Sequence, residues 1–97
     1  MLRVLLIDDD VGTIEVFGFV LRQSNCEVAS APSGQLGLRV AARFKPHVSV
    51  IDLRLPDMSG IDVFRELRDK NPAATVIVVS AFATCRSAVE ATAKTMS

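Results

Sequence analysis

Residues Val48 to Gly60 read VSVIDLRLPDMSG, and this stretch decides the fold. Val48, Val50 and Ile51 form a short β-branched run, the composition of a strand buried on both faces, and the run stops at a carboxylate, Asp52. Leu53 to Gly60 has the composition of a loop. Pro56 fixes its own φ and biases Leu55 toward extended geometry, and Gly60 is expected to supply a conformation that other residues resist. The carboxylate is therefore expected on a stiff strand, at the mouth of a shaped loop. In open α/β sheets that place, beyond the carboxyl ends of parallel strands, is where ligands and chemistry collect.

Outward from this stretch, strand-like and helix-like segments alternate. Leu2 to Ile7 is an apolar first strand ending on three carboxylates, Asp8, Asp9 and Asp10. From Val11 to Gln23, Ile14, Phe17 and Leu21 recur at helical spacing, with Asp10 placed as the N-cap. Asn25 marks a turn, Glu27 to Ala31 a second strand, and Gly34 to Phe44 a second helix made slim by Gly37, Ala41 and Ala42. Pro46 closes that helix before the central strand. Ile61 to Lys70 reads as a third helix started by Ser59 or Gly60, and Thr75 to Val79 as a fourth strand ending on Ser80. Ser87 and Glu90 have capping-box spacing for a fourth helix that Thr84 or Ser87 would start. This alternation predicts parallel βαβ units with right-handed crossovers, hence a three-layer α/β sandwich in a single domain over residues 1–97.

Composition narrows the function. Eleven acids balance eleven Lys and Arg, so no basic field exists to attract nucleic acid or an anionic membrane. No apolar stretch approaches the roughly 20 residues of a membrane span. With a strand-like run close behind Met1 and no CxxC pair, the chain is expected to be cytoplasmic, and Cys26 and Cys85 to be free, packing thiols. His47, before the central strand, reads as a surface turn residue, and Phe17, Phe19, Phe44 and Phe64 as core.

In a parallel sheet Asp8, Asp9, Asp52 and Ser80 emerge at one edge. Carboxylates so close repel one another, and the cluster persists only if some protonate or a hard cation neutralises them. Magnesium suits such a site because it takes oxygen ligands, commonly one or two carboxylates with phosphate oxygens. With the cation in place, Asp52 can act as a nucleophile toward phosphorus and Ser80 can hydrogen-bond a phosphoryl oxygen.

The acidic turn, the DLRLPDMSG loop and the serine after the fourth strand together resemble the receiver domain of two-component response regulators, over nearly the whole chain. The resemblance implies a flavodoxin-like fold and a phosphoryl group accepted on Asp52 from a histidine kinase or phosphotransfer protein, a signalling role and not that of a turnover enzyme. It implies Mg2+ held by Asp8, Asp9, Asp52 and the Arg54 backbone carbonyl, with Ser80 as the switch hydroxyl and Asp10 as a helix cap. The family's fifth strand and helix find no counterpart before Ser97, so a truncated sheet of order 2-1-3-4 is expected. Lys94 falls in the expected fourth helix and is not assigned the role of the family's lysine. Thr75 to Val79 then becomes an edge, and a homodimer through that edge or the fourth helix is expected. With no output segment in the sequence, the signal is expected to pass to a downstream protein target. Two alternatives remain: a phosphatase of the haloacid dehalogenase type, with Asp8 as nucleophile and Asp10 as acid, and a non-catalytic receiver-derived interaction module.

Overall fold

The structure, a computed structural model, describes residues 1–80. Four strands, β1 (Arg3–Ile7), β2 (Glu27–Ala31), β3 (Val48–Asp52) and β4 (Thr75–Val79), alternate with three helices, α1 (Val11–Gln23), α2 (Gly34–Phe44) and α3 (Gly60–Lys70). The strands are all parallel, in the order β2-β1-β3-β4. β1 lies between β2 and β3, which is why Val4 to Ile7 are buried on both faces. Leu2, expected in the strand, precedes it and is exposed.

Register sets the functional edge. Ile7 pairs with Ile51, Ile51 with Val78, and Asp52 with Val79. The residues that follow, Asp8 after β1 and Ser80 after β4, therefore flank the last residue of β3.

Alternating residues of the sheet serve opposite layers. Leu5, Ile7, Ile51 and Val76 form the buried core with Val63 and Leu67 of α3, while Phe44, Phe64 and Leu38 pack around it. Leu6, Val50 and Ile77 instead line a hollow bordered by Ile14 and Phe17 of α1. The slim side of α2 packs on β1 at Gly37. A Cβ on Gly37 would stand 2.8 Å from Ile7 Cγ1, and Ile7 is fully buried. Gly37→Ala is thus expected to cost about 1–3 kcal/mol by overpacking, read from the denaturant midpoint. An unchanged midpoint would show that the α2–β1 contact has slack.

Helix ends follow short polar residues. Asp10 accepts from the Gly12 N–H at 3.1 Å and the Thr13 hydroxyl at 2.7 Å, and Ser59 accepts from the Ile61 N–H at 3.2 Å. The last carbonyls of α2 are met by Arg3, whose Nε donates to the Phe44 and Lys45 oxygens, both at 3.0 Å. His47 sits at that end of the sheet, exposed, accepting the Arg3 N–H on Nδ1 at 2.9 Å, which agrees with a turn residue far from Asp52.

The reading of the α1 phenylalanines needs correction. Phe17 and Phe19 are not core: they are 54% and 63% exposed. Gly18, between them, is the buried residue of α1; Phe17 only borders the open hollow over the sheet, and Phe19, about 200° further round the helix, does not line it. Cys26 is a half-buried free thiol. β4 is a sheet edge among the described residues. The expected fourth helix, with Thr84, Cys85, Ser87 and Lys94, lies outside the described residues. Among those described, no helix is long and apolar enough to cross a membrane.

Candidate functional site

Three carboxylates meet at the carboxyl edge of the sheet. Asp8, Asp9 and Asp52 each offer an oxygen, and these oxygens all lie within 4.8 Å of one another. Asp52 is 4% and Asp8 9% exposed, while Asp9 faces solvent. The turn after β1 fixes Asp8, whose Oδ1 accepts the Asp10 N–H at 2.9 Å. Asp52 Oδ1 accepts the Arg54 N–H at 3.2 Å. Burial pushes the Asp52 carboxyl above its usual range, with the charges of Asp8 and Asp9 adding to the effect, and the Arg54 N–H opposes them. Oxygen donors alone, crowded and partly desolvated, fit a hard divalent cation such as Mg2+.

There is room beside the cluster. An open hollow of about 460 Å³ is lined by Asp8, Asp9, Asp10, Asp52, Arg54, Leu55 and Pro56. On the other side, half-buried Ser80 lines the α1 hollow together with Asp8 and Asp52. The five residues expected at the site, Asp8, Asp9, Asp52, Arg54 and Ser80, thus border two adjoining hollows.

The loop after Asp52 is closed at its neck. Arg54 bridges Ser59, and the Gly60 N–H donates to the Leu53 carbonyl at 2.8 Å. Gly60 does not adopt the unusual backbone expected of it, since no glycine among the described residues has a positive φ. What it supplies is space: a Cβ there would run into the Asp52 carbonyl oxygen and stand 2.9 Å from Leu53 Cα.

Comparison with known proteins agrees with this geometry. Residues 4–97 match the family model of the response regulator receiver domain. The chain belongs to that family. It is 37% identical over 78 residues to the probable transcriptional regulatory protein TcrX of Mycobacterium tuberculosis, covering 80% of this chain and 33% of TcrX. The chain thus spans only a third of the length of that curated relative. A CheY-like receiver domain from Methanospirillum hungatei superposes with a TM-score of 0.82 at 25% identity, covering 92% of this chain and 71% of that one. The response regulator TrrA of Thermotoga maritima, solved with Mg2+-BeF, gives 0.80 at 28% identity, covering 90% and 76%. TrrA has also been solved in complex with the histidine kinase ThkA, and that structure gives 0.79 at 27% identity, covering 89% and 74%. Four parallel strands in the order β2-β1-β3-β4 are the flavodoxin-like arrangement of this receiver fold.

Two further acids of the receiver domain separate from the cluster. Asp10 is occupied as the α1 cap, and its hydrogen bonds from Thr13 and Gly12 hold its carboxyl below the usual range. Asp57, which sequence reasoning passed over, accepts the Gly34 N–H at 2.8 Å and the Gln35 N–H at 2.9 Å. Partners 22 and 23 residues away leave no local pattern to read; an acid at the tip of a largely apolar loop is the only sign.

Proposed function

We propose that residues 1–97 form one receiver domain that accepts a phosphoryl group on Asp52, with Mg2+ held by Asp8, Asp9, Asp52 and the Arg54 carbonyl. The observation that carries this reading is the meeting of three carboxylate oxygens within 4.8 Å around an Asp52 that is buried at the end of its strand. An Asp52 oxygen attacks the donor's phosphorus, the new P–O bond forms as the bond to the donor breaks, and the electron pair leaves with the donor. The cation, when bound, neutralises charge on the carboxylates and the phosphoryl oxygens. Asp8 and Asp9 hold their oxygens in place, Arg54 N–H keeps one Asp52 oxygen oriented, and the Ser80 hydroxyl donates to a phosphoryl oxygen.

The donor in this reading is a phosphohistidine of a histidine kinase or phosphotransfer protein, supported by the TrrA–ThkA complex. Such a donor sets the domain in the cytoplasm. The phosphorylated face then acts on a downstream protein target.

Incubation with a small phosphodonor and Mg2+, followed by mass measurement, tests the assignment. One phosphoryl group is expected on the wild type and on Asp10→Asn, and none on Asp52→Asn or after chelation of the metal. A phosphoryl adduct that persists in Asp52→Asn overturns the assignment.

A further inference from the structure

We propose that Asp57 is a positioning residue of the receiver site: by clasping the first turn of α2 it fixes the loop 53–59, and through that loop the backbone at Arg54 that meets Asp52 and the cation. The proposal rests on the reading of Asp8, Asp9 and Asp52 as a Mg2+ site.

The clasp uses both carboxylate oxygens. Oδ1 accepts the Gly34 N–H at 2.8 Å and Oδ2 the Gln35 N–H at 2.9 Å, two of the four N–H groups that the start of a helix leaves without a partner inside the helix. α2 already has its own cap, since Ser33 Oγ accepts the Leu36 N–H at 3.3 Å. What distinguishes Asp57 is its origin in the loop that follows the phosphoacceptor.

An apolar contact at the next residue reinforces the bond. Gly34 leaves a notch that Met58 fills, so closely that a Cβ on Gly34 would stand 2.5 Å from Met58 Sδ. Met58 also packs against the buried core. The tip of the loop is thereby tied to α2 by a bidentate carboxylate and an adjoining side chain, while the Arg54–Ser59 bridge and the Gly60–Leu53 bond close its neck.

The connection to the chemistry is short. Arg54 lies at the neck, and its N–H donates to Asp52 Oδ1 at 3.2 Å. With the tip released, residues 53–59 sample more conformations, and binding an ion through Arg54 must order them again at an entropic cost. The clasp meets that cost during folding. The two bonds also keep the Asp57 carboxyl below its usual range, so it remains the anionic partner that a helix N-terminus favours.

The test measures Mg2+ binding by calorimetry, with the metal alone, for wild type, Asp57→Ala, Asp57→Asn and Ser33→Ala. Asp57→Ala is expected to weaken Mg2+ binding about tenfold, the lower end for loss of a partner outside the ligand shell. Asp57→Asn should recover part of that loss, because its amide oxygen can replace one acceptor. Ser33→Ala removes a cap from the same helix without touching the loop, so it should lower the melting temperature and leave Mg2+ affinity unchanged. Amide exchange at Arg54 and Gly60 should quicken in Asp57→Ala and not in Ser33→Ala. Unchanged affinity in the Asp57 variants, or an equal loss in Ser33→Ala, overturns the proposal. If Asp57→Ala does not fold, the comparison of Asp57→Asn with Ser33→Ala decides. A wild type that binds no Mg2+ refutes the site reading and the clasp with it, and that arm alone reveals it.

Discussion

Gly60→Ala is expected to destabilise the domain by about 3 kcal/mol, the upper end for overpacking, and to abolish Mg2+ binding. Backbone entropy argues the other way. Gly60 has no positive φ and begins α3, so an alanine there would, by restricting the unfolded chain, stabilise by about 0.4–1 kcal/mol. Space decides the sign. The new Cβ would meet the carbonyl oxygen of Asp52 and come within 3.0 Å of its carbonyl carbon and 2.9 Å of Leu53 Cα, all of them backbone atoms that no rotamer can move aside. The end of β3 cannot yield easily, since Asp52 is paired with Val79 and the Leu53 N–H donates to the Val79 oxygen at 2.7 Å. Relief therefore requires α3 to lift from β3, which displaces the carboxylate at its end. Ser59→Ala is the matched comparison: it removes the neighbouring cap, costs about 1 kcal/mol, and leaves the contact with Asp52 intact. Denaturant unfolding of the pair checks the ranking. A Gly60→Ala as stable as wild type would show that the α3–β3 contact is looser than its geometry.

The elements of this receiver domain were legible because each carries a local signal. The β-branched runs at Val48 to Ile51 and Thr75 to Val79 have the composition of strands, and Asp10 precedes an apolar period that needs a cap. The site followed from topology, since parallel strands bring Asp8, Asp52 and Ser80 to one edge whatever the loops do. Three features lay beyond such reading. Gly60 is required by a carbonyl eight residues earlier and not by its own dihedrals. Asp57 finds its partners across the surface at α2, where spacing along the chain says nothing. Phe17 and Phe19 obey helical spacing with their neighbours, but spacing does not say how far each is covered: Phe17 borders an open hollow, and Phe19 does not line it. A period tells that a helix has an apolar stripe, and the packing chooses among competing stripes.

In metal-free buffer Asp52→Asn is expected to raise stability near neutral pH, the reverse of most substitutions at a residue only 4% exposed. Burial, with Asp8 and Asp9 adding to it, raises the Asp52 carboxyl above its usual range in the folded protein. Between the unfolded value of about 3.9 and that raised folded value, the native state binds more protons than the unfolded state. Stability therefore falls as pH climbs through this window, and the full penalty persists above it. Asparagine carries no charge and still offers Oδ1 to the Arg54 N–H, so its stability profile should be flatter across the same window. Saturating Mg2+ reverses the ranking. An ion that binds only the folded state adds about 2.7 kcal/mol at a hundred times its Kd, and with Asp52 a ligand, as proposed, the variant gains little of this. Melting temperatures with and without Mg2+, across pH, should thus cross: the variant higher without metal and the wild type higher with it. A substitution that merely damaged packing would lower both curves. A variant less stable than wild type in metal-free buffer at neutral pH would mean that the three carboxylates do not strain the folded state, and the electrostatic argument for a cation among them would fail.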